Sequence, residues 1–120
     1  MKFEARRIIY FTSDMKGATA FYKNVLGLKP KLDPKISADE WIEFEAGGVR
    51  IALHKAGNVK GKASTLTRAK LVFFAREVKK VRQYLIRKKV KMGALHTWGK
   101  LMLCDGRDPD GNKFQISNRK

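Results

Sequence analysis

The sequence predicts an α+β protein built from two copies of one module, each a strand, a helix and three further strands. Three observations predict it. Asp108 to Ser117, DPDGNKFQIS, runs from a Pro-Asp-Gly-Asn turn into a segment where Phe114 and Ile116 alternate with Lys113, Gln115 and Ser117. That is the period of a strand with one buried face. Ala46 to His54, AGGVRIALH, has the same layout 63 positions earlier, with Gly48 under Gly111, Arg50 under Lys113, Ile51 under Phe114, Ala52 under Gln115 and Leu53 under Ile116. At the same offset Arg6 to Asp14, RRIIYFTSD, lies over Ala69 to Glu77, AKLVFFARE, and Met15, Ala18 and Tyr22 lie over Val78, Val81 and Leu85. Separate matches at one spacing mark an internal duplication.

Taken in order, Arg6 to Phe11 is the first strand, with Ile8 and Tyr10 on one face and Arg7, Ile9 and Phe11 on the other. Thr12, Ser13 and Asp14 offer a helix N-cap. Met15, Ala18, Phe21, Tyr22 and Val25 follow at helical spacing, and Gly27 closes the helix. Leu28 to Leu32 is a short strand interrupted by Pro30, and a polar connection runs from Asp33 to Asp39. Glu40 to Glu45 alternates as a third strand, with Ile42 and Phe44 opposite Trp41, Glu43 and Glu45. Ala46-Gly47-Gly48 is a hairpin turn into Val49 to His54. Lys55 to Thr67 has no periodic apolar face and reads as a linker. In the second module, Lys70 to Ala75 is a strand and Glu77 to about Lys89 a helix whose Val78, Val81, Leu85 and Ile86 line one side beneath a cover of Lys and Arg. Val90 to Ala94 comes next as an extended segment. A turn with His96, Trp98 and Gly99, a strand at Lys100 to Cys104, the acidic turn and the last strand complete the module.

A chain of 120 residues, 43% hydrophobic, buries one modest core, so residues 1–120 are expected to form one domain: module one over 1–56, a linker over 57–67 and module two over 68–120. No secretory h-region and no run of about 20 apolar residues is present, so a soluble, cytoplasmic protein without a membrane partner is expected. The single cysteine, Cys104, reads as a small buried strand residue. The charge is extreme: 27 Lys and Arg against 11 Asp and Glu give +16. Divided after residue 60, the first part has 11 basic and 7 acidic residues (net +4), the second 16 and 4 (net +12). Such an excess attracts polyanions without naming one. A basic solvated surface is the plainer explanation.

The segments TSDMKGATAFYKNVLGL (12 to 28), GGVRIALH (47 to 54) and DPDGNKFQIS (108 to 117), in this order over the duplication, resemble the vicinal oxygen chelate superfamily of glyoxalases, bleomycin-resistance proteins and extradiol dioxygenases. The resemblance covers essentially the whole chain. It implies that each βαβββ module curves and that a mixed sheet surrounds a central cup, commonly in a homodimer. Metal-dependent members of that family hold one divalent ion with a His or Gln on the first strand and a Glu on the last strand of each module. Those positions here are Arg7, Ala52, Lys70 and Gln115. Arg and Lys are cations, Ala has no donor, and only Gln115 is able to coordinate. No metal and no other cofactor is therefore expected.

Residues two apart on a strand share a face, which places Arg50 and His54 with Ala52, and Lys113 and Ser117 with Gln115. Trp41 and Glu43 add an aromatic wall and a counter-charge. The ligand-binding candidates are thus Arg7, Lys70, Gln115, Arg50, His54, Trp41 and Glu43, and His54 is the sole candidate base. They suit a small carboxylate, phosphate or enolate-like ligand, or a polar aromatic one, whether the protein sequesters it or transforms it. A plainer reading is that Arg7 or Lys70 pairs with Glu43 and fills an unused cup with salt bridges. Asp105, Asp108 and Asp110 read as turn formers before the last strand rather than a calcium site. Two alternatives stand beside binding without metal. One is a metal-dependent lyase or dioxygenase using displaced donors His54, Glu43 and Gln115; the other is a polyanion or nucleic-acid binder working through the basic face of the second helix, which lacks the interleaved aromatics such binders use.

Overall fold

The computed structural model describes residues 1–57 and 69–120, and the expected linker lies, apart from Gly57, outside them. The chain divides into two compact units, Met1–Gly61 and Lys62–Lys120, and each is a βαβββ module. In the first, β1 (Arg7–Thr12), β2 (Lys29–Lys31), β3 (Trp41–Ala46) and β4 (Val49–Lys55) form a four-stranded sheet in the order β1-β4-β3-β2. β1 runs parallel to β4, and the other pairs are antiparallel. Pro30 sits in β2, the edge strand, where its missing N–H costs no interior ladder bond.

α1 (Met15–Ala20) crosses from β1 onto one face of this sheet. Its start is capped as the sequence suggests. Asp14 accepts a hydrogen bond from the Gly17 amide at 3.0 Å, and buried Thr12 accepts one from the Asp14 amide at 3.0 Å. The helix does not continue as a simple α-helix to Gly27. Phe21–Val25 forms a π-helical turn, closed by the Leu26 amide donating to the Phe21 carbonyl at 3.0 Å. The wider turn accommodates two consecutive buried aromatics, Phe21 and Tyr22. Tyr22 then becomes the hub of the core, with Phe21 edge-on at 5.0 Å and the rings of Phe44 and Tyr10 at 6.1 and 6.3 Å. Phe44, Ile51 and Leu53 are wholly or almost wholly buried beneath it, each contributing about 1.5–3 kcal/mol. Gly27 ends the segment at φ +68°, a conformation natural for glycine.

The second unit repeats the plan with β5 (Leu71–Phe74), α2 (Val78–Arg87), β6 (His96–Trp98), β7 (Leu101–Arg107) and β8 (Lys113–Ser117), in the order β5-β8-β7-β6. Val78 and Leu85 of α2 are buried, as are Cys104, Phe114 and Ile116 of the sheet. Two expectations change here. His96 and Trp98 lie in a strand rather than a turn, because β6 pairs with β7 as an edge strand. Val90 to Ala94 instead touches the sheet through a single bridge, Met92 to Gly106. β7 also runs on to Arg107, so Asp105 belongs to a strand and not to the acidic turn. The turn itself is organised by buried Asp108, whose carboxylate accepts from the Asp110 and Asn112 amides and from the Asn112 side chain.

Gly106 is the tightest point of the second core. A Cβ there would stand 2.6 Å from both the Phe114 ring and the Met92 sulfur. Gly106→Ala is therefore expected to destabilise by about 1–3 kcal/mol, read from urea-unfolding midpoints. Gly48→Ala, with nothing within 4 Å of the added methyl, serves as the comparison and should be close to neutral. Equal effects of the two changes would refute the packing assignment.

Candidate functional site

In each sheet one face packs on its helix and the other turns away from it, and the charged candidates lie on the second face. In the first unit that face carries Arg7, Ile9 and Phe11 of β1, Arg50, Ala52 and His54 of β4, and Trp41, Glu43 and Glu45 of β3, in register. Five of the predicted binding residues, Arg7, Trp41, Glu43, Arg50 and His54, are thus brought together. Arg7 reaches across β4 to Glu43, with Nε 2.6 Å from Oε1. The crossing is possible because Ala52, fully buried and paired with Glu43, presents only a methyl group between them. Arg50 leans on Glu45 at 3.6 Å. Further along the same face His54 sits between two aromatic rings, Trp41 edge-on at 5.3 Å and Phe11 at 5.5 Å. Phe11 is 52% exposed and Ile9 41%, so this apolar row is open.

The second unit repeats the geometry with different residues. Lys70, just before β5, reaches across β8 to Asp105 of β7, with Nζ 3.0 and 3.2 Å from its two oxygens. Gln115 lies between them and donates its amide N–H to Asp105 at 3.0 Å, while the Lys113 ammonium stands 4.0 Å away. Of the two cations expected to seek Glu43, Arg7 is its partner; Lys70 is held by Asp105 of its own sheet, a β7 residue and not the turn former that the sequence predicts. Burial alone raises the Asp105 pKa, but hydrogen bonds from Gln115 and Lys70 and the charges of Lys70 and Lys113 outweigh it and hold the carboxyl below its ordinary value. Val72 and Phe74 occupy the places of Ile9 and Phe11 and are 49% and 48% exposed. Buried Ser117 stands where the first sheet has His54. His96 stacks on Trp98 at 5.9 Å at the sheet edge. Cys104 faces the other way; burial pushes its thiol pKa up, against the opposing charge of Arg82 and with a smaller push from Asp105, so it is a packing residue.

This donor set does not suit a divalent ion. Arg7 and Lys70 bring positive charge, Glu43 and Asp105 are each engaged by a cation within their own sheet, and Gln115 turns its amide nitrogen to Asp105. Among the described residues no three His, Cys, Asp or Glu side chains gather as a metal site. No helix among them is long and apolar enough to cross a membrane.

Comparison with known proteins places this geometry in a family. The family profile described as the Glyoxalase/Bleomycin resistance protein/Dioxygenase superfamily matches residues 5–116. No curated protein sequence matches the chain. Among solved structures, the chain is similar to a lactoylglutathione lyase from Agrobacterium tumefaciens (20% identity, 95% of this chain and 92% of that one covered, TM-score 0.71). It is similar also to a glyoxalase/dioxygenase from Nostoc punctiforme (19% identity, 95% and 89% covered, TM-score 0.78). A third is an integron cassette protein from the mobile metagenome of V. Cholerae (26% identity, 98% and 96% covered, TM-score 0.69). With its two βαβββ units and a profile match spanning nearly its full length, the chain belongs to the glyoxalase/bleomycin resistance protein/dioxygenase superfamily.

Proposed function

We propose that this protein is a member of its superfamily that works without a metal, binding a small anionic or polar aromatic molecule on the open face of its first sheet. The observation that carries the reading is the Phe11–His54–Trp41 row, which shares one open sheet face with exposed Ile9 and, beyond the Ile9–Ala52–Glu43 row, with Arg7 and Arg50. Half-exposed rings offer a stacking surface for a planar ligand, and the two guanidiniums further along the same face supply hydrogen-bond donors to a carboxylate or enolate oxygen at its far end. Glu43, held by Arg7, fixes the guanidinium in place rather than leaving it to solvent. His54, between the rings, is the group able to accept a proton or a hydrogen bond from such a ligand. At the positions where metal-dependent relatives would need donors this chain has Arg7, Ala52, Lys70 and Gln115, and both cations are engaged by a carboxylate of their own sheet, which supports binding over lyase or dioxygenase chemistry. The ligand is proposed to be taken up by a homodimeric cytoplasmic protein.

The test is a thermal-shift screen of small carboxylates, phosphates and aromatic acids. A ligand at 100 times its Kd adds about 2.7 kcal/mol of stability. That signal is expected in the wild type, should be lost in Arg7→Ala, and should shrink in Phe11→Ala for aromatic ligands alone. Stoichiometric iron, nickel, manganese or zinc in protein purified without chelator would overturn the reading in favour of a metal enzyme.

The lowered Asp105 pKa makes a second prediction. Its folded value lies below the unfolded one, so its stabilisation is complete above the unfolded carboxylate value of about 4 and is lost as pH falls through the folded value. The stability advantage of the wild type over Asp105→Asn should thus be level between about pH 7 and 5 and narrow below about pH 4. Urea titrations at each pH measure it. An advantage that grows on acidification would contradict the ion-pair assignment.

A further inference from the structure

The outer face of α2 is built without acids. From Val78 to Cys104 the sequence has eight Lys and Arg and no Asp or Glu. Val78 and Leu85 are buried where the helix packs on β7 and β8, and the helical period turns Lys80, Gln83 and Arg87 the opposite way. Lys79 flanks this ridge, Lys88 and Lys89 continue it past the last turn, and all of these polar residues are exposed. Lys80 is bonded to Glu77 at 3.1 Å, so its charge is met. Lys79, Arg87, Lys88 and Lys89 have no acidic partner among the described residues. Lys88 rests over the Tyr84 ring, 5.8 Å from its centroid, and keeps its charge.

Ordinary helix electrostatics explains only part of this pattern. Cations at the C-terminal end face the negative pole of the helix dipole, which suits Arg87, Lys88 and Lys89. Lys79 and Lys80 stand in the first turn, at the positive pole, where the dipole favours acids and none is present. Glu77, at the N-cap, makes no capping bond and turns to Lys80 instead. A helix face that had only to stay soluble would mix both signs along its length, whereas this one is positive from end to end.

The form of the partner follows from the same residues. α2 has ten residues and is about 15 Å long. Each strand of a nucleic-acid duplex carries a phosphate about every 3.4 Å of axis, so about four phosphates lie along that length, as many as the unpartnered cations. Gln83 adds a neutral donor to phosphate oxygens. An anionic membrane fits less well, because an interfacial helix needs an apolar face for lipid and α2 turns its own inward, with Ile86 its exposed large apolar residue. Single strands are held by stacking on exposed rings, and Tyr84, the ring of α2, is half-buried under Lys88. We propose that the outer face of α2 docks on the phosphate backbone of double-stranded nucleic acid without reading its sequence. This surface involves no residue of the aromatic row and needs no small ligand there.

Fluorescence anisotropy of a labelled DNA duplex of about 20 base pairs, titrated with the full chain over a salt series, tests the proposal. A Kd of about 1–100 μM near 0.15 M salt is expected, and four contacts at about −0.9 each give a slope of about −3.5 for log affinity against log salt. In Lys79→Gln/Arg87→Gln the slope should shrink by about 2 and affinity near 0.15 M salt should fall about tenfold or more. Lys16→Gln/Lys23→Gln removes the same charge from exposed positions of α1 and its π-helical turn, and should change the slope by less than about 0.5. The urea-unfolding midpoint of Lys79→Gln should not fall, because the dipole disfavours the cation it removes. A clear fall would assign Lys79 to the fold and overturn the inference. Absence of duplex binding at about 0.05 M salt overturns it too. So does an equal loss in both double variants, which means attraction by the general field. Binding to phosphatidylserine vesicles without binding to duplex would give the face to a membrane instead.

Discussion

A cation and a carboxylate that meet across an intervening strand govern what each open sheet face is able to do. Arg7 and Glu43 span β4, and Lys70 and Asp105 span β8. In a four-stranded sheet, residues on the first and third neighbours lie nearly 10 Å apart, so only long side chains meet, and only above a residue that leaves room. Ala52 provides room by being small, and Gln115 by joining the bond itself. The energetic weight of the two pairs differs. The Glu43 side chain is 13% exposed, so removing Arg7 strands a carboxylate largely withdrawn from water, the costly way to break a pair. Lys70 and Asp105 are each about one-third exposed, and solvent screens much of their attraction. The first pair is a fixed part of its sheet, whereas the second is more open to solvent.

Much of this was readable from residue pattern, and the exceptions have physical causes. The alternation in RRIIYFTSD, EWIEFE and AGGVRIALH set the first sheet because its buried face is a clean period of two, and β1, β3 and β4 fall within a residue of the expected bounds. The π-helical turn at Phe21–Val25 left no trace in the spacing, since inserting one residue into a helical turn alters hydrogen bonding more than composition. β6 was missed because an edge strand of three residues, all exposed, has no apolar face to announce it. Val90 to Ala94 looked more extended, yet Gly93 and the close Met92–Gly106 approach restrict it to one bridge.

The most informative miss was Asp105. The 63-residue offset sets Gly106, not Asp105, under Glu43. The first hairpin has two residues at its tip between Ala46 and Val49, while in the second Asp108 is bonded to Asn112, leaving three. One extra residue in the turn moves every position upstream of it by one, so β7 follows an offset of 62 while β8 keeps 63. A one-residue shift in a strand exchanges its faces, so a constant 63-residue offset pairs Glu43 with Gly106 and hides the acid that matches it. The signal was nonetheless present. Cys104 and Gly106 are the residues suited to a buried face, and alternation then sends Asp105 to the other side.

The same residue-by-residue correspondence shows how the two modules have diverged. Both keep a cation, an acid and two half-exposed apolar residues at matched places. The first sheet then places His54 between the rings of Trp41 and Phe11. The second has a buried Ser117 at that position and no ring on β7 to match Trp41; it carries instead Lys113 and Arg107, with Lys91 alongside. The distribution of charge follows the same division, because the unit Lys62–Lys120 holds 16 basic and 4 acidic residues, net +12, against +4 for the remainder. Much of that excess is spread over the outside of α2, exposed to solvent. Duplication supplied two equivalent frames; an aromatic row around His54 on one and a Lys70–Asp105–Gln115 cluster on the other give their open faces different side-chain chemistry.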